Sequence, residues 1–394
     1  MNGVPTRPLS VYLVAAEESG DALGAALARA LVERAGSALK LAGVGGRAMA
    51  AAGIASQFPI EDLSIIGITA IPRRLPMILR RIRQTADAIM AAQPDALVII
   101  DSPEFTHRVA RRVRRHKPSI PILDYVSPSV WAWRPGRARA MRTYIDEILA
   151  ILPFEPAAHA RLGGPSCSYV GHPLIERLRE LKPNTDEAAR RRADPPLLLV
   201  LPGSRSSEIR RLLAIFGAAI ARVAADVGPI ELVLPTMPHL AMQIRHGTAG
   251  WAVKPRVVVE PAEKWAAFRT ACAALAASGT VTFELALAGV PTVAAYRLPL
   301  IEEIILRQLI TLNTVILANL VIGDNVVPEF LQRDCTPKKL ADALVPLLSD
   351  TPERARQIEV FGRLHRIMAF DAPPSAKAAA LILDAARRGR SVAV

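Results

Sequence analysis

The sequence predicts two tandem doubly wound α/β domains, and three observations predict it. Short all-apolar runs recur where parallel strands buried on both faces belong, and helical patterns lie between them. The scheme then starts again after a charged, proline-containing break near residue 190. At 394 residues and 51% hydrophobic content, the chain is long enough and apolar enough for two such cores.

In the first half, SVYLVAA (10–16), ALVIID (96–101), IPILDYV (120–126) and EILAILP (147–153) read as strands. Helical patterns fill 20–35, 76–92, 105–116 and 136–145. The stretch ELKPNTDEAARRRADPP (180–196) is polar and charged and reads as a linker. Beyond it, LLLVLP (197–202), IELVLP (230–235), RVVVE (256–260), CAALAAS (272–278) and PTVAAY (291–296) are strands. Helices are expected at 206–226, 238–247, 262–270 and 280–288, and again at 337–349, 352–368 and 375–388. The expected division is a first domain 1–175, a linker 176–196, a second domain 197–350, and C-terminal helices 351–394 free to pack back on the first domain. In such folds ligands bind at the carboxyl ends of the strands and in the cleft between the domains. Many nucleotide-sugar glycosyltransferases pair two Rossmann-like domains in this way, so the analogy is one of fold.

No apolar run reaches the ~18–20 residues that span a bilayer. Glu17 and Glu18 follow the first apolar run closely, which fits a strand better than a secretory signal. Cys167, Cys272 and Cys335 are odd in number and far apart, which argues against a disulfide framework or a metal centre and for a reducing cytoplasm. The formal charge is +13, and 63–145 alone carry fifteen basic and five acidic residues, net +10. Such a surface attracts anions, whether nucleic acid, anionic headgroups or phosphorylated substrates.

Five stretches can carry chemistry. LVLPGSRSSEI (199–209) places Gly203, Ser204 and Arg205 between a strand and a helix start, where backbone amides and a forked cation suit a phosphate. LAASGTVTFELALAGVP (275–291) repeats that turn at Ser278, Gly279 and Thr280; Glu284 then suits either a ribose diol or the positive end of its helix. LVAAEESGDALG (13–24) sets Glu17, Ser19, Gly20 and Asp21 after the first strand, with acids that suit sugar hydroxyls better than phosphate; a helix cap is the alternative for Ser19 or Asp21. LVIIDSPEF (97–105) ends a strand on Asp101, a general base or a helix cap, with Glu104 just beyond. SIIGITAIPRRLPMILRRIR (64–83) is apolar with five arginines and no acid, and suits a membrane surface or an amphipathic helix on the sheet. The seven histidines show no metal-ligand spacing.

These stretches, with YVSPSVWAWRPGRARAM (125–141), GVGGRAMAAAG, LPFEPAAHARLG, VGHPL and VVPEFLQRDCTP, occur in an order that resembles the bacterial lipid-A-disaccharide synthases, from near residue 10 to beyond 340. The resemblance implies the GT-B architecture and an inverting glycosyltransferase. Its donor would be UDP-2,3-diacylglucosamine and its acceptor 2,3-diacylglucosamine 1-phosphate, giving the β-1,6-linked disaccharide 1-phosphate and UDP. It implies Asp101 as catalytic aspartate with Glu17 beside it, and Ser19, Gly20 and Asp21 on the first-domain site turn. Gly203, Ser204 and Arg205 would meet the diphosphate; Ser278, Gly279, Thr280 and Glu284 would meet the nucleotide. Ser127, Trp133 and Arg134 would lie on the acceptor side, with Asn319 and Gln332 facing the cleft. Neither a metal nor another cofactor is expected, nor a nucleic-acid partner. The expected place is the cytoplasmic, inner face of an anionic membrane, and an oligomer is compatible with it. The alternatives are another GT-B enzyme using a UDP-GlcNAc-type donor, or a non-catalytic basic protein on a membrane surface.

Overall fold

The computed structural model describes residues 7–63, 71–299, 314–369 and 371–392. The chain forms two compact units, Met1–Ile175 with Phe370–Val394, and Glu176–Ala369.

The first unit is built on a six-stranded parallel sheet: β1 (Leu9–Ala15), β2 (Leu39–Val44), β3 (Ala96–Ile100), β4 (Ile122–Tyr125), β5 (Glu147–Ala150) and β6 (Ser166–Tyr169). Their spatial order is β2-β1-β3-β4-β5-β6. Helices α1 (Glu18–Ala35), α2 (Arg47–Ala51), α3 (Ile71–Ala92), α4 (Pro103–His116), α5 (Gly136–Met141) and α6 (Glu155–Arg161) connect them. Every residue of β3, ALVII, is buried because successive side chains enter opposite layers. Leu97 and Ile99 join Ile82, Ile89, Val109 and Val113 of α3 and α4. Val98 and Ile100 join Leu27 and Leu31 of α1, and Ile382 and Leu383 near the C-terminus. The strand order reverses between β1 and β3, so the turns after these strands diverge around a crevice at their carboxyl ends.

The second unit repeats the plan with β7 (Leu197–Leu201), β8 (Glu231–Pro235), β9 (Arg256–Val258), β10 (Ala273–Ala277), β11 (Thr292–Tyr296) and β12 (Glu329–Leu331). The order β12-β11-β10-β7-β8-β9 reverses between β7 and β10. Its helices are α7 (Leu178–Leu181), α8 (Thr185–Arg190), α9 (Ser206–Val227), α10 (Ala241–Thr248), α11 (Pro261–Thr270), α12 (Thr280–Leu287), α13 (Leu317–Ile322), α14 (Pro337–Leu344) and α15 (Pro352–Met368). The last helix, α16 (Pro374–Val392), belongs to the first unit.

The expected linker 176–196 is a correction. It is folded into the second unit, where Asn184 and Glu187 form a capping box on α8. Arg191 donates to the carbonyls of Phe268, Arg269, Ala288 and Gly289, tying down the ends of α11 and α12. The stretch is polar because it satisfies helix termini. The C-terminal helices also divide: α15 stays with the second unit and only α16 packs on α1. Strands β2, β6 and β12, absent from the sequence reading, are all sheet edges, where half-covered strands lack a continuous apolar run.

Residues 64–70 of the expected membrane segment lie outside the described residues. Within α3, Ile78, Ile82 and Ile89 face the core, whereas Leu75 and Leu79 are 41% and 40% exposed beside exposed Arg80 and Arg83. Arg81 does not join that face, because it pairs with Asp62 at 2.5 Å and lies over the Phe58 ring.

Candidate active site

Among the described residues, four of the six non-glycine residues with positive φ lie in or beside one cavity of the first unit. They are Asp101 (φ 52°), Ser102 (45°), Val126 (78°) and Arg134 (52°). Each such residue costs on the order of 1–3 kcal/mol, most for a β-branched one, and persists only where packing holds it. The cavity, about 210 Å³, is lined by Asp101, Ser127, Ser129, Trp133, Arg134 and Arg137 among others.

Asp101 sits just past β3. Its Oδ1 accepts from Ser102 N at 2.7 Å and its Oδ2 from Ser19 Oγ at 3.3 Å. No cation pairs with it among the described residues. A carboxylate steadied by neutral donors, with lone pairs open to a cavity, is what a general base requires. Gly20 permits the approach of α1, since a Cβ there would lie 3.2 Å from Ile100 O. Glu104 is exposed and pairs with Arg137 at 3.4 Å. Glu17 is exposed at the start of α1, without a side-chain capping bond, and does not line the cavity.

The site turn is corrected at Asp21. Its side chain is 4% exposed and accepts from the amides of Gly46, Ala48 and Met49 at 2.7–3.0 Å. It fastens the start of α2 to α1, with no oxygen left for a substrate. The two tryptophans also separate. Trp131 donates to Glu155 at 3.1 Å and packs edge-on against Phe154, whereas Trp133 lines the cavity beneath the Arg134 guanidinium, 4.6 Å from its ring centroid. Burial pushes the Glu155 carboxyl up to about 7, against the N–H donors that hold it. The Ser127 hydroxyl lies 2.7 Å from Nε2 of fully buried His159. His172, buried, accepts from Leu174 N, and burial pushes it down to about 4.

In the second unit, the turn after β7 is built around Glu208. Gly203 has φ 118°, and a Cβ there would fall 2.5 Å from Glu208 Oε2. That oxygen accepts from the amides of Ser204 and Arg205 at 3.1 and 3.3 Å, and Tyr296 donates to Oε1 at 3.0 Å. The expected amide cradle is therefore filled by the protein's own carboxylate, as in a capping box. What remains for an anion is the Arg205 guanidinium, 76% exposed and 3.4 Å from Glu208, and the positive end of α9. Across the switch point, Ser278, Gly279 and Thr280 open α12, and Glu284 accepts from Lys264 at 2.8 Å. Lys264 lies 4.2 Å from the centroid of the Trp265 ring.

Asn319 is also corrected. It is 1% exposed and fully used, donating to Thr314 Oγ1 and Val327 O and accepting from the amides of Val326 and Val327. Gln332 (φ 53°) accepts from Leu298 N through Oε1, and its Nε2 is buried without a partner among the described residues. Sequence reasoning missed His159, Glu155, Glu208 and Lys264. Only Glu208 had a signal, its place three residues after the start of a helix.

Comparison with known proteins gives a family. The profile described as lipid-A-disaccharide synthetase matches residues 11–380. The lipid-A-disaccharide synthase of Bradyrhizobium diazoefficiens is 58% identical over 381 residues, covering 96% of this chain and 97% of that protein. Among solved structures, a glycotransferase of kitacinnamycin superposes with a TM-score of 0.64 at 18% identity, covering 96% of this chain and 99% of that one. Acinetobacter baumannii MurG superposes with 0.58 at 16% identity, covering 96% and 100%. The two likenesses establish the GT-B class of fold.

Proposed function

The chain belongs to the lipid-A-disaccharide synthetase family and is a glycosyltransferase that forms the lipid A disaccharide, and from that premise we propose how its residues divide the reaction. Asp101 is the general base. Its open carboxylate takes the proton of the acceptor 6-hydroxyl, and that oxygen attacks the anomeric carbon of UDP-2,3-diacylglucosamine with inversion. UDP departs, and the charge it gains is met by Arg205 and the positive ends of α9 and α12. Glu284, steadied by Lys264, accepts from the ribose hydroxyls. The 1-phosphate of the acceptor lies against Arg134 and Arg137.

One observation carries this reading: a carboxylate without an ion pair among the described residues shares a cavity with Arg134 and Arg137, held there by strained backbone. An acceptor with one nucleophilic hydroxyl and one phosphate needs that pairing. The protein reaches its acylated substrates from an anionic membrane surface, through Leu75, Leu79, Arg80 and Arg83 on the outer face of α3. No helix among the described residues is long and apolar enough to cross a membrane.

The test is incubation of the protein with both acylated sugars and mass analysis of the lipid. The tetraacyl disaccharide 1-phosphate and UDP are expected in equal amounts, and Asp101→Asn should abolish most of both. Product from UDP-GlcNAc in place of the acylated donor would favour a different GT-B activity.

A further inference from the structure

We propose that Ser127, fixed by His159, reads the 4-hydroxyl of the acceptor sugar. The inference rests on the reading of the Asp101 cavity as the acceptor site.

The backbone at Val126 is held at φ 78° by the bond from its N–H to Leu149 O at 3.1 Å. That strained residue delivers Ser127 into the cavity wall, where its side chain is 6% exposed. Ser127 Oγ is then held at two points, 2.7 Å from His159 Nε2 and 3.0 Å from Pro128 O. His159 is wholly buried, and burial, outweighing the Asp124 carboxylate, lowers its affinity for a proton and favours the neutral ring. Its Nδ1 has no partner among the described residues, and the backbone of Gly164 packs against it so closely that a Cβ there would fall 2.5 Å away. A buried N–H without an acceptor is costlier than a bare ring nitrogen, so the proton sits on Nε2 and is donated to Ser127. The Ser127 proton goes to Pro128 O. One lone pair of Oγ is left, and it can only accept.

The group it accepts from must be an O–H or N–H donor of the acceptor sugar. In 2,3-diacylglucosamine 1-phosphate, the 2 and 3 positions are acylated and the 1 position carries phosphate, so the sugar's donors are the 4- and 6-hydroxyls and the N–H of the 2-acylamide, and that amide stands on the carbon next to the phosphate that Arg134 and Arg137 are proposed to hold. The 6-hydroxyl is the nucleophile at Asp101. The 4-hydroxyl, on the carbon next but one along the chain, remains for Ser127 in the same cavity. His159 acts through Ser127 and is a positioning residue.

The experiment uses detergent-dispersed substrates and a 4-deoxy acceptor as probe. Ser127→Ala and His159→Leu should each raise the acceptor KM about tenfold, the loss of one hydrogen bond, and leave the donor KM within about twofold. His159→Gln, which keeps an N–H donor, should recover most of the loss. In the wild type, removal of the 4-hydroxyl should cost about tenfold; in Ser127→Ala it should cost nothing further. If the 4-deoxy acceptor loses as much in Ser127→Ala as in the wild type, the inference is wrong. It is wrong too if the two KM values rise together. Should His159→Leu fail to fold, Ser127→Ala and the probe still decide. Asp101→Asn in the same assay separates the two readings: if its turnover persists, the acceptor assignment itself falls, and if its turnover collapses while Ser127→Ala is silent, only this inference falls.

Discussion

The turn after β3 and the turn after β7 are the same device, a strand end opening into a helix beside a reversal of strand order, yet they are finished in opposite ways. After β3, positive φ falls on Asp101 and Ser102, side chains that resist it, and the Asp101 carboxylate is left facing the cavity. After β7, positive φ falls on Gly203, and the buried Glu208 carboxylate consumes the turn's amides. On the proposed roles, the proton-transfer site holds one oxygen in one place and tolerates strain for it. The proposed diphosphate site relies on the field of a helix end and an exposed guanidinium, and it is built from relaxed parts. A buried glutamate of the first unit is strained in another way: Glu155 accepts from Trp131 Nε1 and Leu152 N, yet burial pushes it up to about 7.

The largest effect that could break this contrast is at Asp101. Asp101→Asn should lower turnover by roughly 10²-fold or more while UDP binding stays near normal. Turnover within threefold of wild type would remove the base and leave the strain around it without a purpose.

Next comes the stability of the first unit. The Glu155 pKa is raised from 4.5 to about 7, so the folded protein keeps a proton that the unfolded chain releases. Stability should therefore fall as pH rises from about 4.5 through about 7, by on the order of 3 kcal/mol at most. Urea midpoints at pH 5.5 and 8 measure it, and Glu155→Gln should flatten the difference. An equal slope in wild type and variant would show that Glu155 is already ionised when folded.

The outer face of α3 ranks third. Arg80→Ser with Arg83→Ser should remove about 2 kcal/mol of attraction to anionic vesicles, roughly thirtyfold in partitioning, with activity on detergent-dispersed substrates retained. Sedimentation with vesicles across a salt series reads this directly, and unchanged binding would move the membrane contact elsewhere.

The smallest effects belong to the relaxed turn. Arg205→Ala should weaken UDP and inorganic diphosphate together, by about tenfold, because its charge serves both. Glu284→Gln should weaken UDP several-fold and leave diphosphate alone. Equal losses in the Glu284 variant would rule out ribose and leave only its bond to Lys264.

Much of this contrast was legible in the sequence. Central strands such as LLLVL and ALVII announce themselves because both faces are covered, and the helices between them follow. The positions of Asp101, Gly203 and Arg205 just past strand ends were legible because the apolar runs before them end there, whereas the filling of the Gly203 turn by Glu208 was not. Asp21 and Asn319 were misread for one shared reason: a polar side chain at a turn can serve a ligand or the backbone, and only its partners tell which. The partners of His159 and Lys264 stand 32 and 20 residues away, at Ser127 and Glu284, a distance that no local pattern reports.

Helix α16 carries Ala378, Ala379, Ile382, Leu383 and Ala386 into the layer that covers β1 and β3, and Gly389 seats it against Pro121. On the ribosome, the chain that needs this layer is made first and the helix that supplies it last. The second unit is contiguous and has all its parts as soon as Ala369 emerges. The first must wait for about 200 residues to be made, roughly 10–40 s at ordinary elongation rates, with one side of its sheet uncovered. Newborn chains are thus exposed to aggregation through the half that bears Asp101, the proposed base. A truncation just before Pro374 would leave a folded second unit attached to an unfinished first one.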